Sequence, residues 1–334
     1  MKQKEYSAKR DLTAEGDTMV EVPSTHSEVL QFIEDSISLR PKNLIMSDIR
    51  WKHLIRSVIR GKNVLMTGPS GCGKTIAAFA VATALNRPRF DFNLGNTGDP
   101  RSALIGNTHF DKAEGTFFAE SHFVKAIQTE NAVIVLDELT RAHPDAWNIL
   151  MPVIDYKQRY LRLDDKDTTD RIKVAEGVSF ISTANIGIEY TATRQIDRAL
   201  SDRFTILEIP VLTSDEEFGL LKQIYPDLSD VLCKAVAGYA DSSRQEILSN
   251  DSKISTIIST RMSIEFAGLL YDGFGLVDAA EAAIMPFYSD GDERQYMKQN
   301  LQKYIVVPSG EKKASASKDE LFSAADKEEL MGNQ

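Results

Sequence analysis

Residues Gly68 to Thr75 read GPSGCGKT, a run in which almost every residue type has a use. Gly68, Gly71 and Gly73 let the backbone curl so that successive N–H groups point at phosphate oxygens. Pro69, Ser70 and Cys72 fill the intervening positions, where backbone counts for more than the Cys72 thiol. Lys74 brings a cation within reach of β- and γ-phosphates, Thr75 offers a hydroxyl to Mg²⁺, and Ile76 follows as the loop runs into a helix. A loop of this spacing between a strand and a helix places an anion at the positive end of the helix dipole.

A phosphate cradle does not by itself hydrolyse anything. The run AVIVLDE, Ala132 to Glu138, carries two carboxylates to the end of an apolar strand. Open α/β sheets bind ligands at such carboxyl ends. Asp137 suits the Mg²⁺ site beside Thr75, and Glu138 suits orientation and polarisation of an attacking water. Asn185, ending FISTAN, can hold that water against the γ-phosphate. A third stretch, TATRQIDRALSDRF, Thr191 to Phe204, reads as a helix with Ile196, Ala199, Leu200 and Phe204 on its apolar face. Arg194 can pair with Asp197 and Arg198 with Asp202 at helical spacing. Arg203 has no acid at either spacing, so its charge is free for something outside the helix.

The elements that must position these groups alternate. NVLMTG, RFDFNLG, NAVIVLDE, GVSFISTAN and FTILEIPVL read as strands. GKTIAAFAVATAL, SHFVKAIQTE, HPDAWNILMPVIDY and the arginine-bearing stretch read as helices between them. Alternation of this kind predicts a mostly parallel sheet covered on both faces, with the Asp137 strand beside the phosphate-loop strand. From Thr213 onward the pattern is helical. TSDEEFGLLKQIY opens with a capping box on Thr213 or Ser214, and three further helical runs follow. HSEVLQFIEDSI, near the N-terminus, is a short helix candidate.

Composition sets the outer limits. The 334 residues are 42% hydrophobic and 26% charged, as in ordinary globular chains of about two domains. A net charge of -10 argues against a dedicated nucleic-acid surface. The first residues lack the apolar core of a secretory signal, and the most apolar helix candidate is too short to span a bilayer. Cys72 and Cys233 fit no metal spacing, and the five histidines form no ligand pair, so a reduced, cytoplasmic setting without membrane contact is expected. The stretch beyond Pro308 is rich in Ser, Lys and Glu and reads as a solvated tail.

Together these motifs resemble the AAA+ ATPases, and within them the MoxR-like and dynein-related group, over roughly residues 40–305. The correspondence rests on the phosphate loop as Walker A, VIVLDELTRAHPD as Walker B with its following segment, STANIG as sensor 1, and ALSDRF as the arginine-finger segment. The resemblance implies an α/β P-loop core with a small all-helical lid, and a homo-oligomeric ring, usually a hexamer, with ATP at each interface. Arg203 would then reach a neighbour's γ-phosphate, with Arg198 as second candidate or interface brace. Arg141 would be an interface contact or a surface ion pair. Arg261, in STRMSIE, stands where sensor 2 opens a lid helix, although a capping-region arginine would look the same. HFDKAEGTFFAESHF and QRYLRLDDKDTTDRIKVAEGVSF resemble the subgroup's two inserted hairpins, which in related ATPases face the pore or the client.

The implied organisation is an N-terminal extension over 1–40, a nucleotide-binding domain over 41–212, a lid over 213–307 and a tail over 308–334. TANIGIEYTATRQIDRALSDRF is similar to the ATPase subunit of cobaltochelatases, which works with a partner bearing a von Willebrand factor A domain. The expectation is therefore Mg²⁺-dependent ATP hydrolysis coupled to remodelling or activation of a protein partner. Two other readings stay open: a nucleic-acid motor like restriction-system relatives that use GTP, and a nucleotide-gated assembly scaffold. No guanine-reading NKxD run stands out, which leans towards ATP. Intact Glu138, Asn185 and Arg203 argue against the scaffold.

Overall fold

The computed structural model describes residues 26–111, 115–163, 170–185, 197–249 and 251–305. Its centre is a five-stranded parallel sheet built from β1 (Val64–Gly68), β2 (Arg89–Asn93), β5 (Val133–Asp137), β8 (Ser179–Asn185) and β9 (Thr205–Glu208). β1 is buried throughout, and β5 is buried up to its last residue, as strands covered on both faces must be. Their side chains divide with period two. Val64, Met66, Val133 and Val135 join one core with α2 (Asp48–Ile59) and α3 (Lys74–Ala84), while Leu65, Ile134 and Leu136 join another. That second core also takes Phe123 and Ile127 of α5 (His122–Ile127) and Leu150 and Val153 of α6 (Pro144–Ile154). The helix expected within HSEVLQFIEDSI is α1 (Ser27–Asp35), whose Ile33 packs into the first core.

The strand order is β2-β5-β8-β1-β9, which corrects one expectation. The Asp137 strand is not the neighbour of the phosphate-loop strand; β8 lies between them. β8 earns that central place by being buried from Ser179 to Ala184, with no face that tolerates water. Both carboxyl ends still converge, because parallel strands all present the same end on the same side.

Two antiparallel hairpins interrupt the alternation. β3 (Gly106–Asp111) pairs with β4 (Gly115–Glu120) between α4 (Pro100–Leu104) and α5, as expected of the first inserted hairpin. β6 (Tyr160–Leu163) pairs with β7 (Asp170–Lys173) just ahead of β8, as expected of the second; its acidic turn, 164–169, lies outside the described residues. So does most of the arginine-bearing helix. Residues 191–196 are not described, and the remainder is one turn, α7 (Arg198–Ser201), opened by Asp197 accepting from Ala199 N at 2.9 Å. Asp197 is thus a cap, and among the described residues Arg198 makes no ion pair with Asp202. The solvated-tail reading beyond Pro308 also falls outside the described residues.

The C-terminal region is a bundle of α8 (Ser214–Ile224), α9 (Asp230–Ile247), α10 (Thr260–Tyr271), α11 (Leu276–Ala283) and α12 (Gly291–Leu301) around its own core, which includes Tyr239, Phe266, Tyr288 and Met297. The capping box is on Thr213: its hydroxyl accepts from Glu216 N, and Glu216 reaches back to Thr213 N at 2.9 Å. α12 was not legible, because its sequence GDERQYMKQNL buries only Met297, Asn300 and Leu301. Arg244 and Glu217 form an ion pair inside this bundle, 4% and 0% exposed.

Candidate functional site

The phosphate loop adopts the curled backbone that its glycines permit. Gly68, Gly71 and Gly73 have φ of +149°, +75° and +89°, which other residues rarely adopt. At Gly68 a Cβ would also stand 2.1 Å from Ile209 O, so space as well as conformation demands glycine. Pro69, Ser70 and Cys72 complete the loop, and Gly73 caps α3, whose first residues are Lys74, Thr75 and Ile76. Burial pushes the Cys72 thiol pKa up, so it stays a neutral wall of the loop. Lys74, only 7% exposed, donates to Gly68 O at 2.9 Å and Pro69 O at 2.6 Å. Burial lowers its pKa, and the carbonyls it holds are those of its own loop.

Across the sheet, Thr75 Oγ1 stands 3.2 and 3.4 Å from the two carboxylate oxygens of Asp137. Two hard oxygens side by side suit a small divalent cation such as Mg²⁺, which keeps water in its other positions. Thr183 fixes the acid: its hydroxyl donates to Asp137 and accepts from Glu138 N at 3.0 Å. The two carboxylates are thereby locked in register by one hydroxyl of the intervening strand. Sequence reasoning missed Thr183, although its place two residues before Asn185 puts both on one face of β8. Asn185 itself sits at the end of that strand, paired in register with Gly68.

Glu138 occupies the left-handed region, φ 57° and ψ 41°, a costly conformation for a residue with a side chain. Gly95 makes room for its carboxylate, since a Cβ there would lie 2.2 Å from Glu138 Oε2. Arg141 donates to both Glu138 oxygens at 3.3 Å, so this arginine is a partner of the carboxylate within its own subunit.

The lid reaches the same loop. Gly71 lies against Ser259 and Arg261, with a Gly71 Cβ position 3.6 Å from Arg261 Cβ. Arg261 is exposed near the start of α10 and, with Gly71, Gly73 and Ile76, lines a cleft of about 270 Å³. Leu44, Ile45, Leu212 and Ile264 supply its apolar walls. These residues carry no motif and were missed. The outcome is a largely apolar cleft bordered by the phosphate loop and by the start of α10, where Thr260, Arg261 and Glu265 add polar groups.

The two remaining arginines are on α7 and just after it. Arg198 is exposed. Arg203 is not free, which corrects the reading from helical spacing: its Nη2 meets Asp155 Oδ2 at 3.0 Å, and its Nη1 donates to Ala199 O. Asp155 ends α6, far away in sequence, so no helical spacing could reveal it. The Asp155 carboxyl is held below its usual pKa, first by the Lys157 N–H and further by the Gln158 N–H and Arg203.

The family model for the AAA domain, dynein-related subfamily, matches residues 63–204. A protein described as "Putative chaperone BssE" from Thauera aromatica is 30% identical over 224 residues, which covers 66% of this chain and 74% of that one. An uncharacterized protein of Staphylococcus haemolyticus is 26% identical over 245 residues, 72% of this chain and 90% of that one. Among solved structures, the Thermotoga maritima RuvB Holliday junction branch migration motor aligns with a TM-score of 0.46 at 16% identity, over 78% of this chain and 72% of that one. The family match begins just before β1 and ends at Phe204, so it takes in the phosphate loop, both carboxylates, Asn185 and both arginines. The chain belongs to the AAA ATPases, in their dynein-related subfamily.

Proposed function

We propose that this protein hydrolyses ATP with Mg²⁺ in a ring of identical subunits, a hexamer as the family resemblance implies, in which each site is completed by a neighbour. The observation that carries hydrolysis is the Thr75–Asp137–Thr183–Glu138 chain of contacts beside the glycine cradle. Binding alone needs the cradle and Lys74. It does not need a second carboxylate held in a costly backbone conformation next to the first.

In this reading the loop amides and Lys74 take the phosphates, and the apolar end of the cleft takes the base. Thr75 and Asp137 would hold Mg²⁺, which supplies charge neutralisation at the phosphates. Glu138 and Asn185 orient and polarise water, Arg261 closes on the phosphates from the lid, and Arg203 reaches a neighbour's nucleotide. Arg198 braces the interface. Residues 41–212 serve as the nucleotide domain and 213–307 as the lid, between an extension and a tail. ATP-driven work on a protein, in the manner suggested by the name of the Thauera relative, is the favoured output. A von Willebrand factor A domain protein is the partner class to try first. The net charge of -10 disfavours nucleic acid as the client.

Turnover of ATP and GTP, measured with and without DNA and with a candidate partner, tests the assignment. ATP turnover per subunit that rises with protein concentration and ignores DNA is expected. Turnover only with DNA, or with GTP alone, would replace it with the motor reading, and binding without turnover would replace it with the scaffold.

A further inference from the structure

Arg203 presents a physical conflict that its role as a finger must resolve. A group destined for a neighbour's phosphate is here folded back on its own subunit, with Nη2 on Asp155 and Nη1 on Ala199 O. The docked pose is incomplete, because its buried Nε finds no acceptor among the described residues. An orphaned donor weakens the pose that leaves it so. The side chains of Arg203 and Asp155 are 25% and 20% exposed, so the pair lies at the edge of the fold and not in its core.

Asp155 is built for this contact. Its Oδ1 is occupied by the N–H groups of Lys157 and Gln158, at 2.9 and 3.2 Å, in the turn that follows α6. Those bonds fix the carboxylate and leave Oδ2 for Arg203. Behind Arg203, Asn63 Nδ2 bonds both Ile154 O, at 2.7 Å, and Arg203 O, at 3.1 Å, which fastens the two backbones together. The backbone positions are therefore rigid, and only the guanidinium has a choice of partner.

We propose that Asp155 is a positioning residue for Arg203, an internal counter-ion that keeps the arginine on its own subunit until a neighbour's nucleotide phosphates compete it away. The inference rests on the reading of Arg203 as the finger acting in trans. Magnitudes favour the exchange. A partly exposed ion pair shifts an equilibrium only about two- to five-fold, whereas a finger on transferring phosphate changes turnover by about a thousand-fold or more. Asp155 thus delays engagement without preventing it, and its cost appears in the concentration needed to form productive interfaces.

The test is turnover against subunit concentration at fixed, saturating ATP and Mg²⁺, for the parent, Asp155→Asn, Asp155→Ser, Arg203→Ala and Asp155→Asn with Arg203→Ala. Asn and Ser both keep an oxygen for the turn N–H groups but lack the charge, so either one that folds suffices. The expected result is a half-maximal concentration about two- to five-fold lower than the parent's, no fall in maximal turnover, and near-complete inactivity of both Arg203→Ala proteins. A merely structural Asp155 would lower stability and activity together, and could not tighten the interface. An inactive Arg203→Ala alongside Asp155 variants with an unchanged or higher half-maximal concentration overturns this inference and leaves the finger intact. An Arg203→Ala variant as active as the parent overturns both.

Discussion

The sheet domain and the lid meet at one cleft but solve different problems. The sheet domain positions phosphate chemistry with backbone: three glycines at positive φ, strand ends aligned by parallel pairing, and one glutamate held in a left-handed turn. The lid positions its side of the cleft with packing. Arg244, buried in the bundle, bonds Glu217, Leu212 O at 2.8 Å and Ile258 O at 3.1 Å. Leu212 is a wall of the cleft, and Ile258 lies just before the Thr260–Arg261 helix start. The comparison teaches that geometry needed to within an ångström at reacting atoms is built from local backbone, while a surface that only grips can be assembled from distant side chains.

The sharpest break falls on the sheet side. Glu138→Gln preserves shape, the Thr183 contact to its N–H and the Thr75–Asp137 pair, but removes the charge proposed to polarise water. Turnover should fall by about a hundred- to ten-thousand-fold, with nucleotide affinity retained. Single-turnover hydrolysis and equilibrium nucleotide binding on the same preparation check this, and hydrolysis near the parent rate would remove Glu138 from its role.

Arg244→Met tests the lid's side of the comparison. Breaking a buried ion pair leaves Glu217 with an uncompensated charge and typically costs about 3–5 kcal/mol. The expected loss is in lid stability and nucleotide affinity, read by denaturant titration and by binding. The glycine cradle does not depend on this pair. Replacing both partners, Arg244→Met with Glu217→Leu, should recover most of the stability, because the buried charge goes with its partner. It should not recover affinity if the arginine's bonds to Leu212 O and Ile258 O are what shape the cleft.

This division also explains what was legible in the sequence. Gly68 to Thr75 could be read because consecutive residues do the work and glycine is required by conformation. Asp137, Glu138 and Asn185 could be read because apolar strands end in polar residues on one side of a parallel sheet. Leu44, Ile45, Leu212 and Ile264 could not, since an apolar residue lining a cleft looks like one facing a core. The Asp155–Arg203 pair was misjudged for a related reason: spacing along one helix shows only local partners, and this one is tertiary. The β8 insertion between β5 and β1 was likewise hidden, because chain order does not fix spatial order in a sheet.

A smaller effect is expected at the apolar end of the cleft. Ile264→Ala removes part of one wall and should weaken nucleotide binding by about 1–2 kcal/mol, roughly ten-fold, through lost apolar contact. Turnover at saturating nucleotide should be unchanged, since the phosphate end is untouched. A fall in maximal turnover with unchanged KM would mean that the base end also sets the chemistry.

The smallest effect lies farthest from the phosphates. Tyr296 on α12 donates to Glu246 Oε2 at 2.5 Å, while Glu246 Oε1 accepts from Lys253 N at 3.0 Å. This joins α9, the segment after it and α12. The Tyr296 bond, then the Lys253 N–H, hold the Glu246 carboxyl below its usual pKa, and the bond to that carboxylate pushes the Tyr296 phenol up to about 12. Tyr296→Phe keeps the ring that sits 5.3 Å from the Lys253 ammonium and removes only the hydroxyl. Near neutral pH it should cost about 1 kcal/mol, the net worth of one partly exposed hydrogen bond. A carboxylate with a depressed pKa contributes stability above its unfolded value and loses it as pH falls through the folded one. A phenol with a raised pKa contributes below its unfolded value, about 10, and loses that as pH rises towards 12. The gap between parent and Tyr296→Phe should therefore be widest around neutrality and close towards both extremes. Denaturant titrations of both proteins across that range read it directly, and a gap independent of pH would assign the loss to packing and not to the charged hydrogen bond.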